Sequence, residues 1–134
     1  MARESILQGA RVLLLEDEAL ISVGLVELLQ SFGCKVTGCD TLRHAWEAAR
    51  NELPDVALLD VNLQAKQTCY ELAEWLDERH APIVFLTGYS ADQLSERWRD
   101  HLVCEKPCHS DMLQEFLIKA LIAVASPPLS PQNE

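Results

Sequence analysis

Carboxylates, a hydroxyl and an ammonium recur in this chain directly after short apolar runs. Glu16, Asp17 and Glu18 follow Val12-Leu13-Leu14-Leu15, and Asp60 and Asn62 follow Val56-Ala57-Leu58-Leu59. Thr87 and Gly88 follow Ile83-Val84-Phe85-Leu86, and Glu105-Lys106-Pro107 follows Leu102-Val103-Cys104. Carboxylates gathered in one place repel, and burial raises that cost. A hard divalent cation relieves it, and oxygen ligands with room for water suit Mg2+. Lys106 adds a positive charge from another side and Thr87 a hydroxyl donor. Cations and donors around one carboxylate, Asp60, suit an aspartate that takes up and holds a phosphoryl group. That step needs charge neutralisation and positioning above all. Taken singly, Asp60 reads as well as a turn or helix cap, Lys106 as a loop lysine before a helix, and Thr87 as the end of a strand. The recurrence after four apolar runs carries the chemical reading.

These runs do not alternate, which is the pattern of strands covered on both faces of a parallel sheet. Cys34-Lys35-Val36-Thr37-Gly38, after a helix stop at Gly33, makes a fifth strand. Helical periods lie between them. Ile21, Leu25, Leu28, Leu29 and Phe32 form one stripe, and Leu42, Ala45, Trp46, Ala49 and Leu53 form another behind an N-cap at Asp40 or Thr41. Leu72 and Leu76 predict a helix over about 67–79. Leu94 and Trp98 mark a weaker helix over about 91–100, expected to be mobile or irregular. Leu113, Phe116, Leu117, Ala120, Leu121 and Val124 make the cleanest stripe. Five strands alternating with five helices predict a doubly wound α/β sheet with right-handed crossovers. Ligands bind such sheets at the carboxyl ends of the strands, where the polar set falls.

The length of 134 residues suits one domain, and 11 basic against 21 acidic residues give a net charge of −10. That balance lacks the basic footprint of a nucleic-acid binder and is repelled by anionic membranes. No apolar run has the length of a membrane span. Ile6-Leu7 is broken by Gln8-Gly9, against a signal peptide, so a cytoplasmic protein is expected. The five cysteines include no Cys-x-x-Cys. They are read as buried, reduced thiols, with a redox or metal role as the alternative. The proline-rich residues 126–134 read as a flexible tail or linker stub.

Taken in order, Val12-Leu13-Leu14-Leu15-Glu16-Asp17-Glu18, Ala57-Leu58-Leu59-Asp60-Val61-Asn62-Leu63, Phe85-Leu86-Thr87-Gly88 and Glu105-Lys106-Pro107 resemble the receiver domain of bacterial two-component response regulators. The resemblance implies a flavodoxin-like (βα)5 sheet of order 2-1-3-4-5. It sets a receiver over 11–125, an N-terminal extension over 1–10 and a tail over 126–134. By the same resemblance Asp60 is the phosphoacceptor, and Mg2+ is held by Asp17, by Glu16 (through water), by Asp60 and by the backbone carbonyl of Asn62. Thr87 and Lys106 contact phosphoryl oxygens, and the Lys106-Pro107 peptide is cis. Phe85-Leu86-Thr87-Gly88-Tyr89 resembles the single-domain FATGUY-type subfamily, with Leu86 in place of its Ala. Many receivers carry an aromatic residue three positions before the Lys. Here that position is Val103, so Tyr89 or Trp98 is left either as its substitute or as ordinary packing.

The expected function is phosphoryl uptake from a sensor histidine kinase or histidine phosphotransfer protein. Signalling follows through an unidentified downstream protein, or the domain acts as a phosphoryl sink. No enzymatic turnover is expected beyond self-phosphorylation and autodephosphorylation, with Asn62 and Tyr89 flanking the attacking water. A monomer or weak homodimer is expected, the latter through the helix at 111–124. The rival readings are a phosphorylation-independent interaction module of the same fold and an aspartyl-nucleophile phosphatase. The latter is opposed by Glu16 standing where dehalogenase-like phosphatases have Asp. A nucleotide-binding module lacks its glycine-rich loop.

Overall fold

A computed structural model of the protein describes residues 3–88 and 94–125. Five parallel strands, β1 (Arg11–Leu15), β2 (Lys35–Cys39), β3 (Val56–Asp60), β4 (Ile83–Thr87) and β5 (Leu102–Glu105), lie in the order β2-β1-β3-β4-β5. The helices among the described residues are α1 (Ala19–Ser31), α2 (Leu42–Asn51), α3 (Tyr70–Glu78) and α4 (Ser110–Ala125). Every residue of β3 and β4 is buried, which is why their sequence runs are continuously apolar.

Side chains alternate across the sheet and build one core on each face. Leu13, Leu15, Leu59 and Phe85 pack with Ala45 and Ala49 of α2 and with Leu72, Ala73 and Leu76 of α3. Val12, Leu14, Leu58, Val84 and Leu86 pack with Leu25 and Leu29 of α1 and with Leu113 and Leu117 of α4. A 3-10 turn over Arg3–Leu7 contacts α4 and places Leu7 in this second core. Within the stretch expected as an N-terminal extension, Leu7 and Ala10 are buried in this core.

Local signals act as their chemistry predicts. Thr41 Oγ1 accepts from His44 N at 3.1 Å and caps α2. Gly33 follows the end of α1 with φ +96°, where an added Cβ would meet the Gln8 side chain at 2.6 Å. Of the weak, irregular helix expected over about 91–100, residues 91–93 lie outside the described residues, and the remainder holds a 3-10 turn over Glu96–Trp98, in keeping with the irregularity expected. This stretch has two apolar anchors, Leu94 and Trp98, rather than a longer stripe. Trp98 is 1% exposed and meets Phe85 edge-on at 5.4 Å, so it serves as core packing. Tyr89 and residues 126–134 lie outside the described residues.

The reading of all five cysteines as reduced thiols is corrected. Cys34, Cys39 and Cys69 are buried and free, but Cys104 and Cys108 form a disulfide. The turn through Glu105–Pro107 brings their Cα atoms to 5.9 Å, within bridging distance. A separation of four residues gave no sign of that turn.

Candidate functional site

The sheet order sets the site. β1 and β3 are neighbours, so the residues after Leu15 and the end of β3 emerge side by side, with β4 and β5 beyond them. Glu16 is fully buried, Asp60 and Thr87 are 3% exposed, and Asp17 is partly exposed. Glu16, Asp17 and Asp60 each present a carboxylate oxygen, and these atoms lie within 4.8 Å of one another.

Backbone donors orient the carboxylates. Glu18 N donates to Glu16 Oε2 at 3.1 Å, and Asn62 N donates to Asp60 Oδ1 at 3.3 Å. Gln64 N donates to Asp17 Oδ2 at 2.7 Å, joining the loop after β3 to the loop after β1. That loop continues through Ala65 and Lys66 at φ 59° and 58°, a left-handed conformation uncommon outside glycine. Asn62 is bridged to Thr68, which fixes the backbone that carries the Asn62 carbonyl.

Lys106 supplies the counter-charge from the loop after β5. Its Nζ lies 2.8 Å from Glu16 Oε1 and 3.1 Å from Asp60 Oδ2. Its backbone N donates to Thr87 O at 2.8 Å, tying the Lys106 loop to the end of β4. The Lys106-Pro107 peptide is cis. One ammonium does not balance three carboxylates. Burial, then the Glu16 charge, push the Asp60 carboxyl up to about 6 against the attraction of Lys106. Burial alone would lower the Lys106 ammonium, but Glu16 and Asp60 outweigh it and hold it above its ordinary value.

All six residues singled out in the sequence therefore fall at one edge of the sheet, and Glu16, Asp17, Asp60 and Lys106 meet there directly. Glu18 is exposed and outside the carboxylate cluster, and its backbone N–H donates to Glu16. Sequence reasoning missed the part played by Gln64, because a backbone donor leaves no mark in residue type. The donor set fits Mg2+: three hard carboxylate oxygens converge, and Asp60 carries a charge that its surroundings leave undercompensated.

A parallel sheet of this order with an acid cluster and a lysine at its carboxyl edge is the architecture of a receiver-type signalling domain. The chain belongs to the response regulator receiver domain family, whose pattern matches residues 12–117, and so to two-component signal transduction. It is 38% identical to the transcriptional regulatory protein PdtaR of Mycobacterium tuberculosis over 91 residues. That stretch is 67% of this chain and 44% of PdtaR, so the chain spans less than half of that relative. The solution structure of the Erythrobacter litoralis PhyR receiver domain superposes with a TM-score of 0.78 at 28% identity, covering 92% of this chain and 98% of that one. SdrG from Sphingomonas melonis Fr1 superposes with a TM-score of 0.72 at 33% identity, covering 94% and 100%.

Proposed function

We propose that the protein is a phosphorylation-controlled response regulator whose phosphoacceptor is Asp60. The observation that carries this reading is the placement of Asp60. It is a nearly buried carboxylate with one oxygen held by Lys106 and an acid pair beside it. In the transfer, the N–P bond of a phosphohistidine breaks and an Asp60 O–P bond forms. The imidazole keeps the electron pair and is reprotonated from solvent. Asp60 attacks as the carboxylate, which predominates above its raised pKa. Lys106 neutralises charge on the phosphoryl oxygens, and the Thr87 hydroxyl donates to another of them.

Asp17, Asp60 and the Asn62 carbonyl would hold Mg2+, with Glu16 acting through water. When bound, the ion supplies charge neutralisation to the acid cluster and the incoming phosphoryl group. The domain acts on itself alone, through phosphoryl uptake and hydrolysis, with no substrate turnover.

The donor is a sensor histidine kinase or a histidine phosphotransfer protein. Its seat is a largely apolar groove of about 560 Å3 between α1 and the Lys106 loop, lined by Leu20, Ile21, Lys106 and Pro107. Leu20 is 90% exposed there, and the shared Lys106 makes the groove continuous with the phosphoryl site. Phe85-Leu86-Thr87-Gly88-Tyr89 supports placement in the FATGUY-type subfamily. The output passes to a partner protein or ends in a phosphoryl sink, in the cytoplasm. No helix among the described residues is long and apolar enough to cross a membrane.

The test is incubation with Mg2+ and acetyl phosphate, followed by intact-mass measurement. One acid-stable, base-labile phosphoryl adduct is expected in the wild type and none in Asp60→Asn. Absence of an adduct, or its persistence in the variant, overturns the assignment. Steady turnover of unrelated phosphate esters would instead support the phosphatase reading.

A further inference from the structure

We propose that Cys104 and Cys108 form a thiol–disulfide modification site that sets the reach of Lys106, making the phosphoryl site responsive to low-molecular-weight thiols and disulfides. The proposal rests on the Lys106 role given above. Lys106 sits at the middle of the loop that the bridge closes. On its N-terminal side the loop is held by the pairing of Thr87 with Glu105 and by the Lys106 N to Thr87 O hydrogen bond. On its C-terminal side, Cys108 is returned to Cys104, which is fully buried among Leu86, Leu113 and Leu117. The bridge therefore pins the exit of the Lys106 loop to the core just before α4 begins. Opening it removes that constraint while leaving the strand pairing in place. Lys106 Nζ spans to Glu16 and Asp60 from this loop, so the loop's freedom becomes the ammonium's freedom.

The two sulfurs differ in access, which gives the chemistry an order. Cys104 is shielded, whereas Cys108 is partly exposed and lines the groove shared with α1. A small thiolate attacks Cys108 Sγ, the S–S bond breaks, and Cys104 leaves with the electron pair and takes up a proton. A second thiolate then attacks the small-molecule sulfur of the mixed disulfide. It releases the Cys108 thiol and a small disulfide. In the reverse direction a small disulfide such as oxidised glutathione accepts the two electrons and leaves as two thiols. The remaining cysteines do not compete. Burial pushes the Cys34 and Cys39 thiols up to about 11 and the Cys69 thiol up to about 12.

The experiment equilibrates the full chain in glutathione buffers from oxidising to reducing. Alkylation after denaturation should report three thiols in the oxidised form and five in the reduced form. In each state, Lys106 is labelled under native conditions with an N-hydroxysuccinimide ester and mapped by mass spectrometry. Phosphoryl uptake from acetyl phosphate is followed in parallel. Reduction should raise Lys106 labelling severalfold and lower the rate of phosphoryl uptake. Cys108→Ser, which changes the more accessible sulfur, should label like the reduced wild type in every buffer. Five alkylatable thiols throughout, equal Lys106 labelling in the two states, or redox-dependent labelling in Cys108→Ser each overturn the proposal. A labelling difference without phosphoryl uptake in either state supports the thiol–disulfide site and overturns the phosphoacceptor reading instead.

Discussion

Replacing Asp60 by Asn should stabilise the metal-free protein, because the fold holds the Asp60 charge against burial and against Glu16. The carboxyl rises from 3.8 to about 6 on folding, and that value already includes the attraction of Lys106. At about 1.4 kcal/mol per factor of ten, ionising Asp60 in the folded protein costs about 3 kcal/mol more than in the unfolded chain. The sign follows from the direction of the shift. The neutral carboxyl's contribution is fully present below about pH 3.8, declines as the pH rises and is gone above about pH 6. Asn does not titrate, so the variant escapes this decline. Urea unfolding in EDTA, followed by the fluorescence of Trp46, Trp75 and Trp98, measures the difference. Asp60→Asn should exceed the wild type by about 2–3 kcal/mol near pH 7.5, and the gap should shrink toward zero near pH 4. Saturating Mg2+ should narrow it at neutral pH, since a ligand bound to the native state adds about 2.7 kcal/mol at a hundred times its Kd and the variant keeps fewer ligands. A variant no more stable than the wild type in EDTA at neutral pH, or a gap that does not change with pH, refutes the argument that Asp60 is held charged at a penalty.

Other perturbations have equally definite outcomes. Lys106→Ala leaves Glu16 and Asp60 without their ammonium and should destabilise the metal-free protein by about 3 kcal/mol in urea unfolding, with Mg2+ recovering part of the loss. Trp98→Ala opens a void against Phe85 and should lower stability by about 3–5 kcal/mol; a loss below about 1 kcal/mol would show that Trp98 is not core. Thr41→Ala removes the α2 cap and should cost about 1 kcal/mol without altering phosphoryl uptake. Cys34, Cys39 and Cys69, buried with raised thiols, should resist native alkylation far longer than denatured controls.

The strands were legible because their signal is local. Continuous runs such as Val56–Leu59 and Ile83–Leu86 need no knowledge of the rest of the chain to read as doubly covered strands, and both are wholly buried. The Thr41 cap and the Gly33 stop are local for the same reason. The segment after β4 was legible only as weakly helical, because two apolar residues, Leu94 and Trp98, fit a helical period by spacing alone. Among the described residues Trp98 is anchored against Phe85 from a single 3-10 turn. The cysteines misled because a gap of four residues is silent about the turn between them.

The sequence by itself determined which residue types stand after each apolar run, and hence the candidate set Glu16, Asp17, Asp60, Asn62, Thr87 and Lys106. Only the tertiary structure decided that they share one edge. Asp60 and Lys106 are 46 residues apart in the chain yet 3.1 Å apart at Oδ2 and Nζ. The β2-β1-β3-β4-β5 order and parallel register bring them together. Burial and Coulomb interaction then depend on neighbours that no sequence window contains. An ordinary aspartate in the chain thus becomes, in the fold, a carboxyl held near 6.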